Sequence, residues 1–173
     1  MKVPLAGSDA AGNPTETLLS EVGLVLLRMF DTAEACMLRL VCREFVEAVA
    51  RQQWEDDVTV IRGSIAAWRA CFPRARCANV GMHQATFNPP GRRSLVHDAD
   101  FVHFAGLRNL NMNMCDLVTD AAFAHLRGIH TLRMSFCGSI TDAGMVHLVG
   151  IQRLSVFCCT RLTDAAFAPL RGI

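Results

Sequence analysis

A 22-residue period runs through the second half of the chain and restricts it to an architecture in which one small unit is stacked on copies of itself. Residues 119–129 read TDAAFAHLRGI, residues 141–151 read TDAGMVHLVGI and residues 163–173 read TDAAFAPLRGI. The same 22-residue step separates Leu110, Leu132 and Leu154, then Cys115, Cys137 and Cys159, then Val118, Ile140 and Leu162. Each unit is apolar-x-x-Leu-x-apolar-x-x-Cys-x-x-apolar-Thr-Asp. A unit this short cannot bury its apolar face alone, so the units must close one another.

Within a unit, the alternation around each periodic leucine predicts a strand whose neighbours point to opposite faces. The outward set is Asn109, Asn111 and Asn113 in one unit, Thr131, Arg133 and Ser135 in the next, and Arg153, Ser155 and Phe157 in the third. Stacked, these rows form one continuous polar concave face, the candidate surface for a protein target. Thr119, Thr141 and Thr163 are placed to cap a short helix, with Asp120, Asp142 and Asp164 in its first turn, where negative charge is favoured. Phe123, Met145 and Phe167, with Leu126, Leu148 and Leu170, are expected to close the core behind the sheet. The periodic cysteines are expected to face inward after the strand and donate weakly to free backbone groups.

The frame extends backward. Val58-Thr59-Val60 and Val80-Gly81-Met82 are 22 apart and read apolar-x-apolar, with a short amphipathic helix, SIAAWRACF, between them. From Val80 to Leu110 the step is 30, so about eight extra residues belong to this unit, and the turn-rich QATFNPPGRRSL (84–95) is where they are placed. After it, HDADFVHF (97–104) restores the frame of TDAAFAHL. About five repeat strands result.

Ahead of the repeats, residues 1–16 are rich in Ala, Gly, Pro and short polar residues and are expected to form a disordered tail. Residues 18–30 carry Leu19, Val22, Leu26 and Met29 at helical spacing. Asp31 or Thr32 can cap a second helix, and a third follows, with Leu38, Val41, Cys42, Phe45, Val46 and Val49 on the buried side. The helical unit ends near Trp54.

With 173 residues and 51% hydrophobic residues, the chain has ample material for a core. A net charge of +1 makes no case for nucleic acid or a membrane surface as partner. No run approaches the ~20 apolar residues that span a bilayer, and the first residues lack the apolar stretch of a signal peptide. Eight cysteines without any C-x-x-C indicate neither a zinc site nor a disulfide framework, and a reduced cytoplasmic setting, with a nuclear one also open, fits them.

The unit's spacing is that of a leucine-rich repeat of the cysteine-containing type, and the helical segment LLSEVGLVLLRMFDTAEACMLRLVCREFVEAV resembles an F-box. The specific part of that resemblance is the Val-Cys-Arg-x-Phe run at residues 41–45. Leu19 stands where the family usually has proline, and Gly23 replaces an apolar helix residue. The resemblance implies an α/β chain with a three-helix F-box over residues 17–52, followed by a short solenoid of about five strand/helix units over residues 53–173. It further implies a target-recognition adaptor of a Skp-cullin-F-box ubiquitin ligase. In that role Leu18, Leu19, Glu21, Val22, Leu26, Leu27, Leu38, Val41, Cys42, Arg43 and Phe45 face the Skp-type adaptor, which links to the cullin core. The repeats hold an unknown protein to be ubiquitinated. The alternative is a leucine-rich-repeat scaffold with a degenerate F-box that recruits no ligase.

No catalytic residue, cofactor or metal is expected. His103, His125 and His147 recur 22 apart, whereas a catalytic histidine needs a unique neighbourhood with a nucleophile and an orienting partner. Neither G-x-S-x-G, a P-loop nor H-E-x-x-H occurs.

Overall fold

Period-2 alternation in the repeats becomes a sheet. The computed structural model describes residues 27–40, 43–81 and 95–170. The expected tail, most of the first helix and nearly all of the 84–95 insertion lie outside these residues. Strands β1 (Cys77–Asn79), β2 (Asn109–Asn111), β3 (Thr131–Arg133) and β4 (Arg153–Ser155) pair in parallel, in chain order. Leu110, Leu132 and Leu154 lie side by side across β2, β3 and β4. The 22-residue period is thus one turn of the chain from strand to strand.

The register at β1 corrects the expected frame. Leu110 pairs with Ala78, not with Val80, so β1 and β2 are offset by 32 residues and the insertion is ten residues rather than eight. Val80 instead occupies the place of Met112: the Val80 N–H donates to the Asn111 carbonyl as that of Met112 donates to the Arg133 carbonyl, each at 2.8 Å. Farther back the strand pattern fades. Val58 is exposed, and only an isolated bridge from Val60 to Asn79 continues the sheet. The described residues hold four strands and this bridge, where five strands were expected.

Behind the sheet, the expected short helices are mostly 3₁₀ segments: Asp98–Phe104, Asp120–Leu126 and Asp164–Leu170. The apolar spacing suits this form. Phe101 with Phe104, and Phe123 with Leu126, are three apart, which puts both on one face of a helix with three residues per turn, and all four are buried. One unit differs, opening with an α-helical turn, Asp142–Met145, before a 3₁₀ turn at Val146–Leu148. Its Gly144 packs against Asp120, and a Cβ there would lie 2.7 Å from Asp120 Oδ1. The first three segments return to the sheet through a glycine at positive φ, Gly106, Gly128 and Gly150, where a side chain would be strained.

Phe123 and Met145 seal the core as expected, but Phe167 is 41% exposed because no described unit packs beyond it. Leu154 and Val156 are likewise only half-buried, while Leu110, Leu132, Met112 and Met134 are fully enclosed.

A ladder absent from the sequence reading joins the units. Each capping threonine accepts from the N–H two residues on: Ala121 to Thr119, Ala143 to Thr141, Ala165 to Thr163. It also donates to the aspartate of the unit before. Thr141 gives its N–H to Asp120 Oδ1 at 2.8 Å and its hydroxyl to Oδ2 at 2.5 Å. Thr119 does the same on Asp98, and Thr163 on Asp142. The Thr163 hydroxyl and N–H hold the Asp142 carboxyl below its usual range. The Asp therefore serves the next unit's threonine as well as its own first turn.

The helical unit contributes α1 (Thr32–Leu38) and α2 (Arg43–Arg51), and α3 (Ile65–Cys71) follows Trp54 at the start of the expected repeats. Asp31 and Glu34 form a reciprocal capping box at the start of α1. Ser64 caps α3, which places Ile65 and Trp68 in the core and stops before Pro73. Asp56 ties α1 to the chain after Trp54, accepting from the N–H and hydroxyl of Thr32 and from the N–H groups of Val58 and Thr59. Burial works to raise its pKa, but the bonds from Thr59 and Thr32 outweigh it and bring the carboxyl down to about 2. Trp54, Phe72, Trp68, Phe104 and Phe101 follow one another ring to ring, with centroids 5.3–6.4 Å apart. Through them the buried core runs continuously from Leu27 to Leu170.

Candidate functional site

Outward positions on the sheet do two different jobs. Asn113 Oδ1 accepts from the Ser135 N–H at 2.8 Å, and Asn111 Oδ1 from the Asn113 N–H at 3.2 Å. Ser135 is buried, and its hydroxyl meets that of Ser155 at 3.0 Å. These four side chains brace the strand ends. Asn109 donates to the Cys77 sulfur at 3.3 Å. Arg133 approaches Asp57, with Nη1 to Oδ2 at 3.9 Å.

Thr131, Arg153 and Phe157 complete the expected set. Phe157 is 67% exposed and stacks edge-on against Phe136 at 5.4 Å, beyond the C-terminal ends of β3 and β4. Phe136 sits at φ 61, and Met114 and Cys158 occupy the same left-handed position in their units. That conformation costs a non-glycine residue roughly 1–2 kcal/mol. It is held at Met114 and Phe136 by N–H bonds to the carbonyls of Ser135 and Phe157.

At the opposite, N-terminal ends of the strands lies a groove of ≈ 220 Å³. Its lining is Arg76 and Cys77, Arg108 and Asn109, His130 and Thr131, Gln152 and Arg153, with Glu55. Four of its nine residues, those just before each strand, went unnoticed in the sequence, although Arg108, His130 and Gln152 share the 22-residue step. A smaller depression beside it is lined by Asp57, Asn109, Leu110, Asn111, Thr131 and Arg133.

Of the helical-unit residues singled out in the sequence, Leu18, Leu19, Glu21, Val22, Leu26, Val41 and Cys42 lie outside the described residues. Leu27 has no exposed surface and belongs to the core. Leu38 and Phe45 are half-buried, and Arg43 is exposed and pairs with Glu47 at 3.7 Å. Met29, placed by its spacing on the apolar stripe of the first helix, is 78% exposed, and Met37 and Leu40, which sequence reasoning missed, are 67% and 80% exposed on this unit.

The periodic cysteines face inward. Cys137 and Cys159 donate to the carbonyls of Met112 and Met134 in the preceding units, at 3.2 and 3.0 Å, and Cys115 approaches that of Val80 at 3.9 Å. Burial pushes the Cys137 thiol from its ordinary value of 9.0 up to about 12, and Cys77 to about 11. A thiol needs its thiolate to act as a nucleophile, so these sulfurs are inert. In native protein, iodoacetamide is expected to label exposed Cys36 and Cys158 while Cys77, Cys115, Cys137 and Cys159 stay unlabelled until denaturant is added. Peptide mass spectrometry reads this directly, and rapid native labelling of Cys137 contradicts it. Because the folded-state pKa of Cys137 is raised, its contribution to stability is complete below about pH 9 and fades as pH climbs toward 12.

The repeated histidines His103, His125 and His147 fall in the last turns of successive segments behind the sheet. Among the described residues, no group of three or more His, Cys, Asp or Glu is gathered to hold a metal ion. No described helix is long and apolar enough to cross a membrane. No protein-family model matches the chain, and no curated protein matches it.

Proposed function

We propose that this chain is a target-recognition adaptor of a Skp-cullin-F-box ubiquitin ligase, with an F-box at residues 17–52 and a cysteine-containing leucine-rich-repeat solenoid after it. The observation that carries the solenoid half is the stacking itself. Three successive strands 22 residues apart pair in parallel register, and the cysteine of each unit reaches back to a carbonyl of the one before. The F-box half rests on the Val-Cys-Arg-x-Phe run and is supported by the exposed apolar side chains of Met29, Met37 and Leu40 beside it. An amphipathic helical unit of this kind docks by filling a partner's groove with such side chains. The protein needs no chemistry of its own: it brings a target held on the sheet face to the cullin core.

Co-purification with a Skp-type adaptor tests the reading. The full chain is expected to form a stable complex, and the Val41→Ala/Phe45→Ala variant to lose it, at about 2–5 kcal/mol per side chain buried at the interface. Circular dichroism establishes that the variant is folded. If the full chain does not co-purify, or the folded variant binds unchanged, the ligase role fails and the protein is a repeat scaffold.

A further inference from the structure

We infer that the groove across the N-terminal ends of the four strands binds an extended acidic segment of a protein target, with its carboxylates on Arg76, Arg108 and Arg153. This rests on the sheet face being the target-binding surface, and it names the chemistry of the target.

The groove gathers three guanidiniums against one carboxylate, Glu55, in a chain whose overall charge is only +1. Among the described residues, none of the three forms an ion pair. Arg43 and Arg51 lean on Glu47, and Arg133 on Asp57, whereas Arg76 lies beside the neutral Gln53 amide. Arg108 and Arg153 are exposed. Guanidiniums that outnumber the carboxylate beside them and form no ion pair with it are ready donors for further carboxylates, which they grip through two parallel bonds.

Their spread decides the shape of the ligand. Arg76, Arg108 and Arg153 stand at β1, β2 and β4, and neighbouring strands are ~4.8 Å apart, so the row covers roughly 14 Å. An extended chain advances ~3.3 Å per residue and crosses this distance in four to five residues. Successive acidic side chains can meet the row, whereas a single phosphate would need the guanidiniums to converge. No Phe, Tyr or Trp lines the groove, so bases of single-stranded nucleic acid find only the His130 imidazole to stack on.

Fluorescence anisotropy on the full chain tests this with a labelled decapeptide alternating glutamate and serine, its glutamine counterpart, a phosphoserine version of that counterpart, and a single-stranded oligonucleotide. The glutamate peptide is expected to bind at least ~10-fold more tightly than the glutamine one, and the Arg108→Gln/Arg153→Gln variant to lose that difference. Arg127→Gln, an exposed arginine outside the groove, is expected to bind like the parent. Equal binding of the glutamate and glutamine peptides overturns the inference. So does equal weakening by Arg127→Gln and by the groove variant, a response confined to the phosphoserine peptide, or tighter binding of the oligonucleotide. Skp co-purification on the same preparation separates the two readings. A chain that binds the adaptor but not the acidic peptide refutes only the groove. One that binds the peptide but not the adaptor leaves the groove standing and refutes the ligase role.

Discussion

Replacing Phe72 with alanine is expected to cost about 3–5 kcal/mol of folding free energy, the range for truncating a fully buried aromatic ring. Phe72 has no exposed surface, and it touches Trp54 edge-on at 5.3 Å and Trp68 at 6.1 Å. It is the link through which the helical unit and the repeats share one core, so its loss opens a cavity at the joint. Neither tryptophan can fill that space, because Trp54 is tethered by its indole N–H to the Val49 carbonyl at 2.9 Å and Trp68 is packed against Phe104. For a chain of this size the cost corresponds to a fall of roughly 6–20 °C in Tm. Phe157→Ala is the control: that ring is 67% exposed and its edge contact with Phe136 is worth about 1 kcal/mol. Thermal denaturation of both variants checks the contrast, and a Phe72→Ala loss no larger than that of Phe157→Ala refutes the joint.

What the sequence made legible was whatever recurs. The 22-residue step located β2, β3 and β4, their inward leucines, the inward cysteines and the capping threonines, because each must satisfy the same contacts in every copy. It failed where a unit departs from the average. Ala78 carries the buried position of β1 but is too small to stand out, and Val80 two residues later offered a more conspicuous but false anchor for Leu110. Val58, equally conspicuous, points to solvent. Short apolar spacings of three were read as generic helix, although a 3₁₀ turn puts such residues directly above one another on the sheet side. For the site, the outward rows were legible from alternation. That Asn111 and Asn113 spend their polarity on the backbone and Ser135 on the Ser155 hydroxyl was not, since a side chain's partner two residues or one unit away leaves no mark on its own identity. The arginines preceding the strands were passed over because they lie one residue outside the strand pattern.

Asp120→Ala is expected to cost about 2–3 kcal/mol, on the scale of hydrogen bonds to a charged acceptor, and to act beyond its own unit. The half-buried carboxylate receives both the N–H and the hydroxyl of Thr141, which in turn caps the segment starting at Asp142. Removing it leaves the Thr141 N–H without its partner and frees the hydroxyl, so the cap of the following unit weakens with the interface. In a stacked array, stability is the sum of unit and interface terms, and the loss should therefore fall on one side. Amide exchange is expected to quicken from Thr141 through Leu170 and to stay nearly unchanged at α3 and β1. A double-mutant cycle with Thr141→Val isolates the side-chain bond and should return a coupling of about 1 kcal/mol or more. Gly144→Ala provides an independent approach to the same carboxylate. Its new Cβ would sit 2.7 Å from Asp120 Oδ1 and must displace it, giving an overpacking loss of about 1–3 kcal/mol with the same one-sided exchange pattern. If instead either variant loosens all four strands together, the aspartate ladder is not what couples one unit to the next, and the chain unfolds as an indivisible core.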